Sequence, residues 1–280
     1  MRSTQVHEAQ MAKHLTKAIH HGSLSLFAQP KLHLASGRIV GAEVLLRVPQ
    51  SAFLTVQKNS RLSDQKILIS PISTDKWVQA AQNRGLMRPL SEWVIKEVFH
   101  HLGQSNFPKI PLAVNVPPSL LTPRFAHFLE ACAEESGIPL SFLEIEITES
   151  QKPFNLKVIN QTVQKLRAMG VKVMIDDFGS GYATMRYLVD VVVDAVKIDK
   201  DFVQKAATSQ SAHLILKSLI SLAKEMDVSV ICEGVETMQQ LSAVQELGCD
   251  VVQGFFISHP MRIDEFFNSR ANSYPSIRIQ

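Results

Sequence analysis

From residue 110 onward, short apolar runs rich in β-branched residues alternate with amphipathic stretches. IPLAVNV (110–116), FLEIEIT (142–148), VKVMID (171–176), DAVKID (194–199), VSVICEG (228–234) and CDVVQG (249–254) have the length and composition of buried strands. Helical patterns lie between them at 123–137, 155–170, 182–189, 211–226 and 237–248, and a last one covers about 262–270. The stretch 155–170 places Leu156, Ile159, Val163, Leu166 and Met169 on one face, and 123–137 ends at a glycine. Strict alternation implies parallel strands joined by helical crossovers. Two earlier strands, near 24–34 and 39–48, bring the count to about eight. That favours an α/β fold closed into a TIM-like (β/α)8 barrel over an open sheet. The first two strands are joined only by LASGR (34–38). So short a link predicts a hairpin, and hence one antiparallel strand in the barrel.

The expected organisation is an N-terminal helical extension over 1–23, a barrel domain over 24–270 and a C-terminal tail over 271–280. Within the barrel domain, 48–73 is the least regular segment and reads as an insertion. With so few residues ahead of the barrel, no attached sensor domain is expected. A chain of 280 residues with 45% apolar and 20% charged residues has the composition of a globular protein with a large core. The net charge of +3 is spread along the chain, which gives no electrostatic case for a nucleic-acid polymer as partner. Three cysteines without CxxC spacing point to a reducing compartment, the cytoplasm. No stretch approaches the ~20 apolar residues that span a bilayer, so no membrane insertion is expected.

In such a barrel the chemistry lies at the C-terminal ends of the strands. Polar residues are placed there with unusual regularity. Glu43 interrupts the second apolar run, Asn115 follows Ala113 and Val114, and Glu146 sits in EIEIT. Asp176 and Asp177 end VKVMI, Lys197 sits in AVKID, Glu233 follows VIC, and Gln253 follows two valines. Taken singly, each has an ordinary reading as a cap, a turn or a snorkelling lysine. Together they converge on one rim. Two carboxylates ~4 Å apart repel by roughly 4 kcal/mol at an effective dielectric of ~20, and one lysine cannot neutralise five of them. A hard divalent cation can, and carboxylate with amide oxygen is the ligand chemistry of Mg²⁺ or Mn²⁺. Adjacent aspartates suit a pair of cations ~3.5–4 Å apart, an arrangement that activates water against phosphate esters. No histidine lies in a zinc-type spacing near these strand ends. Cys232 alternates to the face opposite Glu233, as a core residue would.

FAQPKLHLASGRIVGAEVLLR, LAVNVPPSLL, LEIEITES, IDDFGSGYATMRYL, VDAVKIDKDFV, ICEGVETMQQL and LGCDVVQGFFISHPM occur in this order from about residue 24 to 262. In this order and register they resemble the EAL-domain family, which hydrolyses the bacterial messenger cyclic di-GMP. The resemblance implies a barrel with one antiparallel strand and a metal-dependent phosphodiesterase giving linear pGpG. It assigns Glu43, Asn115, Glu146 and Asp176 to one cation, and Asp176, Asp177 and Glu233 to a second. Lys197 would meet the attacking water or the scissile phosphate. Gln29, Leu45, Arg47 and Gln253 would face the nucleotide. Glu149 would brace the loop FGSGYATM and Glu236 the loop after Glu233. A homodimer formed partly through the region of that loop is also implied.

The chain departs from the family pattern at three places. Val44 stands where the family signature has alanine, and Val48 where it has tryptophan. The loss of the tryptophan is expected to remove an aromatic surface near the nucleotide. The segment between Arg47 and Pro71 is longer than usual by roughly ten residues. Some members of the family lack activity and serve as cyclic di-GMP receptors or bind only proteins. Those usually lack several metal carboxylates or have a degraded DDFG loop, and this chain keeps both.

Overall fold

The computed structural model describes residues 2–49, 72–104, 110–148, 155–180 and 182–271. Most of the 48–73 insertion, Glu149, Gly181 and most of the 271–280 tail therefore lie outside the described residues. The chain groups into two compact units, one drawn from 1–27 and 45–97, the other from 28–44 and 98–280.

The barrel is built from β1 (Ser25–His33), β2 (Arg38–Arg47), β3 (Leu112–Val116), β4 (Leu143–Ile147), β5 (Lys172–Phe178), β6 (Ala195–Ile198), β7 (Ser229–Cys232) and β8 (Val251–Val252). From β2 to β8 each strand pairs in parallel with the next. β1 closes the ring by pairing with both β8 and β2, and it runs antiparallel to β8. The short LASGR link thus produces the antiparallel strand that its length predicts. A ninth strand, β9 (Met261–Arg262), bonds to β1 outside the ring.

Local chemistry fixes the crossover helices. In α4 (Pro123–Ser136) a proline opens the first turn, where its missing N–H costs nothing, and Gly137 at φ 67° ends it. Asn155 caps α5 (Leu156–Ala168) by accepting from the Val158 N–H. Asp199 caps α7 (Lys200–Ala206) and Ser209 caps α8 (Gln210–Glu225). Thr237 and Gln240 form a reciprocal capping box on α9 (Met238–Glu246). The remaining barrel-side helices are α6 (Tyr182–Asp190) and α10 (Ile263–Ala271). α7 goes beyond the elements that the apolar pattern predicts, because seven residues hold too few turns to show a period.

Inside the ring, Met174, Ala195 and Ile231 form a small apolar layer with Val251 packed against it. The larger apolar residues alternate to the other face of the strands, where Val114, Ile145, Val173, Val196 and Val230 are buried. The smaller unit has its own core. It gathers Met11, Leu15 and Ala18 of α1 (Arg2–His20), Trp77, Ala80 and Ala81 of α2 (Thr74–Asn83), and Leu90 of α3 (Met87–Gly103). Val48 belongs to this cluster at 2% exposure. The valine that stands in place of tryptophan therefore occupies a packed position in the core of the smaller unit.

Candidate active site

The parallel register brings the polar residues together. Asn115 of β3 stands directly beside Glu146 of β4. Period-two alternation turns both toward the inside, while Val114, Val116, Ile145 and Ile147 pack outside. On β5, alternation alone would turn Asp176 inward and Asp177 outward. The strand avoids this with a bulge: Ile175 pairs with Val196 and Phe178 with Ile198, so three steps on β5 match two on β6. Asp177 takes up the extra residue in a left-handed conformation, φ 51°, which aspartate tolerates better than most side chains. Both carboxylates now serve the same rim. Ligand oxygens of Asp176, Asp177 and Glu233 lie within 4.8 Å of one another.

Lys197, 1% exposed, is the hub of the site. Its ammonium lies 2.5 Å from Glu233 Oε1, 2.7 Å from Glu146 Oε2, 3.1 Å from Asp176 Oδ1 and 3.4 Å from Glu43 Oε2. Amides hold Glu43 from the other side. Asn115 Nδ2 donates to Glu43 Oε1 at 2.8 Å, and Gln253 Nε2 donates to Glu43 Oε2 at 2.6 Å. Gln253 also donates to Gln29 Oε1, and Gln29 to the Ser258 carbonyl. Gln29 and Gln253 are thus buried parts of the scaffold that orients Glu43.

The electrostatics follow from burial against a limited supply of positive charge. Burial pushes the Glu146 carboxyl up to about 8 in spite of Lys197. Burial, then the neighbouring Asp176 and Asp199, push Asp177 up to about 6. Burial likewise raises Glu233 well above the usual carboxylate range. Glu43 is the exception. Burial works against its charge, but Lys197 and the donated Gln253 and Asn115 hydrogen bonds outweigh it and hold the carboxyl below its ordinary value. The four surrounding carboxylates keep Lys197 protonated in spite of its burial.

The donor set fits hard divalent cations. Asn115 Oδ1 and Glu146 Oε1 are buried oxygens that accept no hydrogen bond, an expensive condition unless something else takes their lone pairs. The three-carboxylate cluster has a ligand geometry in which neither histidine nor cysteine takes part. Cys232 is fully buried, and its contact with Cys249, followed by burial, drives its thiol far up, as befits an inert core residue.

The other expected residues fall as follows. Glu236 is exposed, accepts from Gln204 Nε2 at 3.0 Å and stands just before the capping box of α9. Leu45 and Arg47 lie two and four residues beyond Glu43 on β2 and belong to the smaller unit. The Arg47 guanidinium lies over the Phe27 ring, 5.4 Å from its centroid. Glu149 lies outside the described residues. Sequence reasoning passes over two residues that the structure brings in. Asp199 perturbs Asp177, and its signal was another strand-end carboxylate in VKID. Lys31 reaches Glu144 at 2.5 Å and Glu146 at 3.6 Å.

The family model of the EAL domain matches residues 12–260. Among curated relatives, the cyclic di-GMP phosphodiesterase PA2567 of Pseudomonas aeruginosa is 33% identical over 241 residues, covering 84% of this chain and 38% of its own length. The cyclic di-GMP phosphodiesterase RocR of the same organism is 30% identical, covering 95% of this chain and 65% of its own. This chain therefore spans less than two thirds of either relative. Among solved structures, the PaMucR phosphodiesterase in complex with c-di-GMP superposes with a TM-score of 0.78 at 26% identity, over 92% of this chain and 99% of that one. The EAL domain of Mycobacterium smegmatis DcpA superposes at 0.70 with 25% identity, over 90% and 97%. With the motifs in register, the closed barrel and a match over most of its length, this chain belongs to the EAL domain family.

Proposed function

We propose that this chain hydrolyses cyclic di-GMP to linear pGpG with the help of divalent cations, Mg²⁺ or Mn²⁺, two per site. What supports the reading is the convergence of Glu43, Asn115, Glu146, Asp176, Asp177 and Glu233 around one buried lysine, with three buried ligand oxygens, on Asn115, Glu146 and Asp176, left without hydrogen bonds. Glu43, Asn115, Glu146 and Asp176 would hold one cation; Asp176, Asp177 and Glu233 would hold the other. When bound, the pair supplies Lewis-acid activation of water and charge neutralisation at the phosphate.

The side chains do the rest. Water adds to one phosphorus, the bond from phosphorus to the 3′ oxygen breaks, and that oxygen leaves with a proton, so the ring opens to a 5′-phosphorylated dinucleotide. One carboxylate of the Asp177–Glu233 pair accepts the proton that the water gives up, and that proton passes on to the departing 3′ oxygen. Lys197 donates from its ammonium to the attacking water or a phosphoryl oxygen. Gln253 and Asn115 hold Glu43 in one orientation throughout. Arg47, already stacked on Phe27, offers a planar donor fork to a phosphate, and Leu45 an apolar contact to the nucleotide. Glu236 and Glu149 steady the neighbouring loops.

The test is the purified chain with cyclic di-GMP and Mg²⁺ or Mn²⁺, products separated by chromatography. A pGpG peak that disappears with chelator is expected, and Asp176→Asn or Glu43→Gln should abolish it with the circular dichroism spectrum unchanged. Near-full activity in Asp176→Asn would sink the two-cation reading. Tight nucleotide binding without product would make the chain a receptor.

A further inference from the structure

Lys31 enters the barrel interior from β1 and Glu144 from β4, one pleat below Glu146. Both are almost completely buried, with side chains 3% and 9% exposed. The Lys31 ammonium lies 2.5 Å from Glu144 Oε2 but 3.6 Å from Glu146 Oε1. Lys197 occupies the other Glu146 oxygen, Oε2, at 2.7 Å. Glu146 Oε1 is thus a fully buried oxygen, without a hydrogen bond, about one ångström beyond good contact with an ammonium.

A lysine ammonium and a divalent cation compete for the same carboxylate lone pairs. If Lys31 moved onto Glu146, that ligand would be occupied from both sides. We propose that Glu144 is a positioning residue: it captures the Lys31 ammonium and so keeps Glu146 Oε1 free for a divalent cation. This inference rests on the reading of the cluster as a divalent-cation site.

Three further features support it. The interior is built to leave room for the pair. Gly41 lies beside it, and a Cβ there would meet Lys31 Cε at 3.2 Å and the Pro111 carbonyl at 3.1 Å. A cavity of about 300 Å³ at the N-terminal end of the barrel borders both Lys31 and Glu144, so the ammonium can change partners without repacking the core. The charges also balance only as a whole. Six carboxylates (Glu43, Glu144, Glu146, Asp176, Asp177, Glu233) face two ammonium groups (Lys31, Lys197), which leaves four negative charges, the number that two divalent cations carry. In this balance the Lys31 charge belongs to Glu144.

Mn²⁺ binding to the full chain, measured by titration calorimetry, tests the assignment. E144Q keeps the side chain's shape but removes the charge that draws Lys31 away from Glu146, and its affinity for Mn²⁺ should fall roughly 10-fold or more, the usual cost of losing a residue that orients a ligand. The double variant K31M/E144Q removes the competitor as well and should return to near wild-type affinity. K31M alone should bind at least as tightly as wild type. Unchanged affinity in E144Q, failure of the double variant to recover, or weakened binding in K31M would each overturn the assignment and leave the phosphodiesterase reading standing. Absence of Mn²⁺ binding in the wild-type chain would overturn both.

Discussion

Lys197 serves four carboxylates with three N–H donors, so at least one partner is held by charge alone; Asp176 Oδ1 at 3.1 Å accepts no hydrogen bond, and Glu43 lies further off at 3.4 Å. Its removal would leave a cluster of buried anions without a counter-ion. Lys197→Met should therefore destabilise the metal-free chain by about 3–5 kcal/mol. Urea denaturation checks this, and Mn²⁺ should restore part of the loss by neutralising the same carboxylates. The raised carboxyls make a second prediction. Asp177 titrates at about 6 instead of 3.8 and Glu146 at about 8 instead of 4.5. Between these limits the folded chain holds protons that the unfolded chain has released, so stability falls as pH rises. The melting temperature in chelator should thus decline from about pH 5 to about pH 8, and saturating Mn²⁺, which takes the protons' place, should abolish the decline. A melting temperature that rises over this range in chelator would show that the cluster is not protonated as the geometry requires.

At the scale of elements, period-two alternation made most of the rim legible. Asn115, Glu146, Lys197 and Glu233 alternate with buried apolar neighbours, and each lies near the end of its strand or just beyond it. Asp177 defeats that logic, because its inward turn comes from the β5 bulge, a feature that adds a residue without any change of composition. Lys31 defeats it for a different reason. β1 runs against the other strands, so a residue late in β1 lies toward the barrel's opposite end, among the early residues of β4 to β8. The loop after the bulge is constrained as tightly as the bulge. Gly179 has φ 97°, and a Cβ there would sit 2.8 Å from Leu219 Cδ1 and 3.1 Å from Phe202. Gly179→Ala should cost about 1–3 kcal/mol in stability and lower turnover, measured by thermal melting and product formation. Adding Leu219→Ala would relieve the closest contact but not the backbone, so recovery should be partial.

At the scale of the whole molecule, the barrel was legible because strand and helix alternate so regularly from residue 110 on. The smaller unit was not, because its core joins α1 to residues 77–90 across a segment without a clear period. The expected homodimer is placed, as a proposal, on α6, which follows the Asp177 loop. Val189 there is 80% exposed, and Val192 just beyond it 48%. Val189→Glu should shift the chain from dimer to monomer in analytical ultracentrifugation. A wild-type chain that sediments as a monomer at micromolar concentration would remove the proposal. Among the described residues no helix is long and apolar enough to cross a membrane.

The bulge has a consequence for how such a site can be lost or altered. Because Asp176 and Asp177 face the same rim only through one supernumerary residue, the number of carboxylates offered there is written in the length of β5 as well as in its chemistry. Deleting Asp177 would let β5 regain unbroken pairing with β6 and leave Asp176 in place, removing one carboxylate from the rim in a single step. A three-nucleotide deletion, which disturbs no reading frame, would suffice to make that change.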